Sequence, residues 1–310
     1  MAHIPDGFLT ASVAAGTFAA AAALTAYAAR QTRHGLDDRA APTLGLATAA
    51  VFAAQTVNFP VAAGTSGHLL GGTLVAVLFG PWAGFLVMTA VVIAQALIFA
   101  DGGLTALGAN VLNIAGMGAI VGYGIYYALT ELAGAGTRRH ALAAAIAAYF
   151  AAVLTGAAAG FELGLSGIAP TRIALTAMVS FHAILGLAEA LITGLVVFAL
   201  ARKQPNLLSV TATAPPRTLV LVGLGGVACL AGLLSLIAST APDALERVAL
   251  DLGFADAGLD WEGAPFAAYR TWLPGAAGTV TAIVFGVALL FAGVAAMARA
   301  LTRLRHPREG

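Results

Sequence analysis

Charge is scarce in this sequence: only 9% of its 310 residues are Asp, Glu, Lys or Arg, whereas soluble domains carry roughly 25%. So few charges exclude a soluble enzyme, a nucleic-acid binder and a disordered scaffold. Cysteine occurs once, which excludes a disulfide framework and any cysteine-rich metal or iron–sulfur site. The mean hydropathy is instead +0.92, and apolar runs of about 18 or more residues recur along the chain, as in a membrane protein.

Two motifs that would supply energy or hydrolysis are also absent. The single lysine, Lys203, lies between Arg202 and Gln204, so the chain has no G-x-x-x-x-G-K-[ST] loop to bind ATP phosphates. It has no H-E-x-x-H motif either, which excludes a zincin-type intramembrane protease. Uphill transport by this protein would therefore need a partner or an ion gradient.

Apolar runs between charged, proline or glycine breaks predict nine membrane spans. They cover residues 8–29, 42–59, 69–79, 82–100, 104–130, 141–163, 171–200, 217–238 and 274–298. The third is too short to cross roughly 30 Å of hydrocarbon at about 1.5 Å per residue, so we expect a short helix buried by its neighbours. The sequence therefore predicts an all-α polytopic membrane protein.

The basic residues predict its orientation. With the N-terminus outside, twelve of the fifteen lysines and arginines fall on the cytoplasmic side, in agreement with the positive-inside rule. These twelve are Arg30, Arg33, Arg39, Arg138, Arg139, Arg202, Lys203, Arg217, Arg299, Arg303, Arg305 and Arg308. Only Arg172, Arg247 and Arg270 fall outside.

A competing interpretation makes residues 1–29 a secretory signal peptide, with Ala26-Tyr27-Ala28 resembling a cleavage site. Asp6, and no basic residue, precedes the apolar run, and the basic cluster follows it. This order favours a helix that is retained with its N-terminus outside.

The spans fall into two blocks. Residues 1–203 hold seven spans, the polar stretch 204–216 is a predicted cytoplasmic linker, and residues 217–310 form a hairpin of two spans around an outer loop, 239–273. Six acidic residues lie in that loop: Asp243, Glu246, Asp251, Asp256, Asp260 and Glu262. The loop could raise the local concentration of cations, or it could simply be a solvated connection.

The outer N-terminus offers a set of nitrogen ligands. Residues 1–7 read MAHIPDG, and Ala2 is small enough for removal of Met1. The free amine of Ala2 would then join the amide nitrogen and imidazole of His3 in chelating one cation. Planar nitrogen ligands suit Ni(II) or Cu(II), whereas Zn(II) prefers a tetrahedron.

The fourth ligand depends on Met1. After its removal, His68 is the candidate, because it follows the second span on the same outer side. If Met1 is retained, His3 is the third residue, and the amine, two amides and the imidazole fill all four positions without His68. Both arrangements stay open.

Several linked motifs resemble the CbiM/NikM family, the substrate-binding membrane subunits of energy-coupling-factor transporters for cobalt and nickel. They are MAHIPDG at residues 1–7, NFPV at 58–61, GTSGHLLGG at 64–72, DGGLTALGAN at 101–110 and HAILGLAE at 182–189. The resemblance covers residues 1–203. The last block, with STAPDALERV at residues 239–248, is similar to the CbiN/NikN accessory subunit that is found fused to such proteins.

The resemblance implies a seven-helix bundle plus a two-helix hairpin, and metal ligation by the amino-terminal nitrogen of Ala2, by His3 and by His68. The family begins Met-His-Ile, so this chain has one inserted alanine, and loss of Met1 restores His3 to second place. Asn58 and Ser66 would lie in the segments that hold His68 in place.

The resemblance also implies the function. Ni(II) or Co(II) would be the transported substrate, with nickel favoured by the planar ligands and with no organic cofactor. The expected partners are a membrane coupling subunit of the CbiQ/NikQ type, cytoplasmic ATPases of the CbiO/NikO type and the lipid of a bacterial plasma membrane. No nucleic-acid partner is expected.

Other polar residues have two interpretations. Asn110 and Asn113 are three residues apart and share a helix face. With Gln55, Asn58 and Asp101, they could line the space beneath the N-terminal segment, or they could be interhelical polar contacts that satisfy one another. Asp101 alone is most simply a loop or helix-capping residue.

Two alternative functions come from His182. It lies seven residues from Glu189 on one face of the seventh span, where the pair could relay protons in a secondary metal transporter. It could also pair with Ser66, because residues 64–67 match the G-x-S-G pattern of rhomboid intramembrane proteases.

Overall fold

The computed structural model describes residues 3–35, 40–62, 64–134, 136–203, 217–259, 261 and 263–303. The α-helices are α1 (Ala11–Gly35), α2 (Ala41–Gln55), α3 (Gly72–Phe79), α4 (Pro81–Phe99), α5 (Leu107–Asn110), α6 (Gly122–Ala133), α7 (Thr137–Leu165), α8 (Thr171–Lys203), α9 (Arg217–Ser235), α10 (Ala244–Leu252) and α11 (Gly275–Arg303). A π-helical stretch, Val111–Val121, joins α5 to α6, and short 3-10 turns cover Ala255–Ala257 and Ala267–Tyr269. The described residues contain only two strands, β1 (Phe59–Pro60) and β2 (Ser66–Gly67).

The structure confirms an all-α membrane protein with many spans. Seven helices of the described residues are long and apolar enough to cross a bilayer. They are Ala11–Arg33, Pro81–Phe99, Leu107–Ala133, Thr137–Leu165, Thr171–Lys203, Arg217–Ser235 and Gly275–Arg303. The other two predicted spans correspond to α2, with 15 residues, and α3, with eight.

Helix α3 is short and buried, as the sequence predicts. The residues just before it, Leu70 and Gly71, are not helical, and their backbone groups bond to side chains instead. The backbone nitrogens of Leu70 and Gly71 donate to the two carboxylate oxygens of Glu189, at 2.8 and 2.7 Å. The carbonyl of Leu70 accepts from the Gln55 side chain at 2.7 Å. Non-helical backbone is tolerated inside a membrane protein only where such partners exist, so Glu189 and Gln55 make the entry of this segment possible.

Helices α7 and α8 pack closely along their length because one face of α7 is made of small residues. Gly156, Gly160 and Gly164 lie four residues apart, and a Cβ at any of them would collide with α8. Spacing of small residues by four is typical of tightly packed membrane helices. At Gly156 the neighbour is the ring of His182, which is fully buried.

The C-terminal hairpin packs on the bundle, with both α9 and α11 against α2. The predicted outer loop 239–273 contains a helix, α10, that the apolar pattern did not predict. Asp243 and Glu246 form a capping box at its start, and left-handed Gly253 ends it. A capping box and a terminal glycine are sequence features typical of helix ends. The helix has only nine residues, so it does not appear as a long apolar run.

Hydrogen bonds bring five connecting segments to one end of the bundle. Leu259 N donates to Asp6 O, Ser239 N to Asn58 O and Thr10 N to Ser166 Oγ, and the loop after α4 bonds to the N-terminal segment. This end is the predicted outer side. The predicted linker 204–216 lies outside the described residues, as do Arg39, Arg305 and Arg308.

We expect Glu189→Ala to destabilise the protein, because two buried N–H groups lose their acceptors, and each unsatisfied donor costs about 1–3 kcal/mol. Glu189→Gln keeps one acceptor oxygen and should cost less. Thermal unfolding in detergent measures the difference, with exposed Glu131→Ala as the control. Equal melting temperatures for Glu189→Ala and Glu131→Ala would contradict this structural role.

Candidate metal site

The N-terminal segment is held inside the protein by its backbone. Ile4 N donates to Asn110 Oδ1 at 2.7 Å, Asn110 Nδ2 donates to Ile4 O at 3.0 Å, and Gly103 N donates to the same carbonyl at 2.8 Å. Ile4 is fully buried, and His3 is only 7% exposed. The backbone of Ile4 is therefore held by three hydrogen bonds to Asn110 and Gly103.

Asp6 anchors the same segment from the other side. Its carboxylate accepts from Leu104 N at 3.0 Å and from Thr105 N at 2.6 Å. Its backbone oxygen accepts from Leu259 N in the C-terminal hairpin at 2.9 Å. Residues 3–6 thus lie between the loop that follows α4 and the outer part of the hairpin.

His68 is placed by the small antiparallel sheet that precedes it. Phe59 pairs with Gly67 and Pro60 with Ser66, and His68 follows directly. Its Nδ1–H donates to the carbonyl of Leu69 at 2.9 Å. A backbone acceptor on one ring nitrogen is the usual arrangement for metal-binding histidines, and here it engages Nδ1 and not Nε2.

The two predicted histidine ligands lie side by side. The ring centroids of His3 and His68 are 5.4 Å apart, with an angle of 69° between the planes. Both rings are buried. Among the residues that the structure describes, Nε2 of the His3 side chain has no hydrogen-bond partner, which is costly for a buried polar atom.

Asp101 is a third member of this group. It follows α4, whose last turn ends at Ala100 in the left-handed conformation, and its Oδ1 accepts from His3 Nδ1 at 2.6 Å. Its Oδ2 accepts from the hydroxyl of Tyr269 at 2.5 Å. Asp101 is thus the partner of the His3 imidazole, a more specific role than the loop or capping position suggested by the sequence.

Burial and charge set the ionisation of these groups. Burial, together with the nearby charge of His3, lowers the pKa of His68 to about 3. His68 is therefore neutral at physiological pH. Burial alone would raise the pKa of Asp101, but the charge and the hydrogen bond of His3 lower it well below its usual range.

The other predicted site residues lie in different places. Asn110 binds the Ile4 backbone, as described above, whereas Asn113 donates to Glu162 at 2.6 Å, away from the N-terminal segment. Asn58 Oδ1 is buried and has no hydrogen-bond partner within the described part of the chain. Ser66 Oγ donates to the carbonyl of Ala241 at 2.7 Å. Ala2 lies outside the described residues.

The histidines do not form a conventional metal cluster. Within the ranges that the structure describes, no group of three or more His, Cys, Asp or Glu side chains could hold a metal ion.

A cavity of about 690 Å³ lies beside His3. Four carboxylates line it, from Asp101, Asp243, Glu246 and Asp256. No lysine or arginine is among its lining residues. Its charge favours cations over anions, and α10 of the C-terminal hairpin forms one of its walls.

Comparisons with known proteins identify the family. A family model described as the cobalt uptake substrate-specific transmembrane region, CbiM, matches residues 3–207. A protein of Archaeoglobus fulgidus that carries the name of a fused nickel transport protein, NikMN, is 34% identical over 307 residues, which are 93% of this chain and 97% of the relative. The fused nickel transport protein NikMN of Rhodobacter capsulatus is 34% identical over 256 residues, 77% of this chain and 74% of the relative.

The fold is also similar to a solved structure, the crystal structure of a truncated transition metal transporter. The TM-score is 0.59 at 34% sequence identity, and the match covers 64% of this chain and 98% of the other.

Gly103 offers a test of the N-terminal segment, because a Cβ at this position would overlap the backbone nitrogen of Asp6. We expect Gly103→Ala to displace residues 3–6 and to weaken Ni(II) binding at least tenfold. Isothermal titration calorimetry on purified protein measures this. Gly16→Ala is the matched control, since a Cβ there meets no atom within 4 Å. Unchanged affinity in Gly103→Ala would contradict the role of the segment.

Proposed function

Because the chain belongs to the CbiM family of cobalt uptake substrate-specific membrane proteins, we propose that it captures Ni(II) or Co(II) on the outer side for import. It is a transport component and not an enzyme. The observation that carries the proposal is the placement of His3, which is the third residue of the sequence and yet buried beside His68, with ring centroids 5.4 Å apart.

The proposed site is a nitrogen chelate. After loss of Met1, the amine of Ala2, the amide nitrogen of His3 and its imidazole supply three donors in fused rings. Nε2 of His68 supplies the fourth, because its Nδ1 is engaged with Leu69. Four nitrogens in a plane suit Ni(II), and low-spin Co(II) adopts the same geometry, so we propose nickel as the preferred substrate and cobalt as the second.

Energy for import would come from other subunits. The chain has no ATP-binding loop, so we propose that a membrane coupling subunit of the CbiQ/NikQ type and cytoplasmic ATPases of the CbiO/NikO type drive the transport cycle in a bacterial plasma membrane. The chain itself would contribute the membrane part that captures the metal, which includes the seven apolar helices of the described residues that are long enough to cross a bilayer.

No observation favours the alternative functions. For a rhomboid-like protease, Ser66 and His182 would need to bond to each other, but Ser66 Oγ donates to Ala241 O and His182 Nδ1 donates to Met178 O. For a proton-coupled transporter, Glu189 would need to be free to exchange protons. Both of its oxygens accept backbone N–H groups instead.

The ligand assignment predicts that His3→Ala abolishes Ni(II) capture, because it removes the imidazole and with it the six-membered chelate ring, and that His68→Ala weakens binding at least tenfold. Metal content after purification and calorimetry measure both. His140→Ala is the matched control, since His140 bonds to Tyr126 at the opposite end of the bundle and should leave binding unchanged.

The free amine needs its own test. An N-terminal extension should weaken capture as severely as His68→Ala, because the chelate loses its terminal nitrogen. Mass spectrometry of the mature N-terminus establishes whether Met1 is removed. Full affinity in a protein with a blocked amine would contradict the chelate while leaving the two histidines as ligands.

The affinity for Ni(II) should rise with pH between about 5 and 8, because ligation displaces protons from the amine, the amide and the His3 ring. His68 contributes nothing to this rise, since its pKa is lowered to about 3 and it is neutral throughout that window. Calorimetry in buffers of different ionisation enthalpy counts the protons released. A flat dependence on pH would contradict amide ligation.

A further inference from the structure

The side chain of Tyr269, in the C-terminal hairpin, contacts Asp101 beside the proposed metal site. Tyr269 lies in the 3-10 turn Ala267–Tyr269, and both Ala268 and Tyr269 have positive φ values, 50° and 57°. Such values are uncommon for residues with a Cβ and are kept only where the surroundings fix them. The ring of Tyr269 is stacked on Phe99, with centroids 4.7 Å apart and planes at 16°.

The backbone geometry and the stacked ring aim the Tyr269 hydroxyl at Asp101. The hydroxyl donates to Oδ2 at 2.5 Å, while Oδ1 of the same carboxylate accepts from His3 Nδ1 at 2.6 Å. Three segments that are far apart in sequence therefore form one chain of hydrogen bonds, which runs from the hairpin through the end of α4 to the N-terminus. Both Asp101 oxygens are occupied.

A histidine that binds a metal ion usually has a carboxylate or carbonyl partner that orients its ring, and Asp101 can serve the His3 imidazole in this way. Only Nδ1 can close a six-membered chelate ring with the amide nitrogen of the same residue, because Nε2 lies on the far side of the ring. In the structure Nδ1 bonds to Asp101 and Nε2 has no partner. A half-turn of the ring about Cβ–Cγ would aim Nδ1 at the metal and bring Nε2–H towards Asp101, which is the carboxylate–histidine–metal arrangement common in metal sites.

We propose that Tyr269 is a positioning residue for metal capture: it fixes the Asp101 carboxylate, which orients the His3 imidazole, so that the C-terminal hairpin completes the metal site. This inference rests on the proposed capture of Ni(II) or Co(II). It assigns the hairpin a defined part in that function, beyond packing against α2.

Packing alone would give a different result. Phenylalanine at position 269 keeps the stacked ring on Phe99 and removes only the hydroxyl. A structural role of the ring therefore predicts no change for Tyr269→Phe, whereas a role through Asp101 predicts weaker binding that depends on the carboxylate. A double-mutant cycle separates the two.

The test compares the wild type, Tyr269→Phe, Asp101→Asn and the double variant, each as the full chain in detergent. We expect Asp101→Asn to weaken Ni(II) binding about 10- to 100-fold, as loss of a carboxylate behind a metal-binding histidine does. Tyr269→Phe should weaken it by a smaller factor, about 3- to 10-fold, and should have less than about a twofold further effect in the Asp101→Asn background.

Two further measurements keep the test independent of folding. Thermal unfolding of the metal-free proteins shows whether Tyr269→Phe is intact, and the visible absorption band of bound Ni(II) reports the ligand geometry at saturation, which a purely structural change elsewhere would not shift. The matched control is Tyr126→Phe, which breaks a 2.8 Å hydrogen bond to His140 and should leave both affinity and spectrum unchanged.

The outcomes distinguish a failure of the proposed function from a failure of the inference about Tyr269. If the wild type binds neither Ni(II) nor Co(II) in preference to Mg(II), the proposed function fails and the inference fails with it. If the wild type binds and Tyr269→Phe binds equally well, or if its effect adds fully to that of Asp101→Asn, only the inference about Tyr269 is overturned.

Discussion

Backbone that leaves helical geometry inside a membrane protein must find a partner for each N–H and C=O group, and the site depends on how this chain meets that requirement. The segment before α3 meets it through Glu189 and Gln55. The N-terminal segment meets it through Asn110 and Gly103. Because these partners fix the backbone, they also fix the two imidazoles, which lie together although no cluster of ligating side chains holds them among the residues described.

The same requirement ties the C-terminal hairpin to the site. The β2 strand donates from Ser66 N to Pro242 O, and Asn58 O accepts from Ser239 N. Together with the bond from Leu259 N to Asp6 O, these contacts make the hairpin a partner of both segments that carry the histidines. Two blocks that look separable in the sequence therefore meet at one end of the bundle, where Tyr269 of the hairpin and His3 bond to the same carboxylate, that of Asp101.

Much of the fold could be predicted because each membrane helix is encoded by its own stretch of sequence, as an apolar run between charged, proline or glycine residues. Helix α3 was predicted to be short and buried because its apolar run is too short to cross the bilayer. The pairing of His3 with Asp101 was not predicted, since the two residues are 98 positions apart, and Tyr269 lies 168 positions from Asp101. Nothing local marks such contacts. The role of Glu189 was missed for a related reason: its acceptors serve a backbone segment 118 and 119 positions away.

The occupied carboxylate also bears on which ions the site would accept. Hard cations such as Mg²⁺ and Ca²⁺ prefer oxygen ligands, whereas imidazole and amide nitrogens suit later transition metals. Asp101 is the carboxylate that touches His3, and both of its oxygens are engaged, one with His3 and one with Tyr269. A carboxylate held in this way is oriented towards the imidazole, because each of its oxygens already accepts a hydrogen bond. If the chelate forms as proposed, its donors are nitrogens alone, and discrimination against the abundant hard cations follows from that donor set.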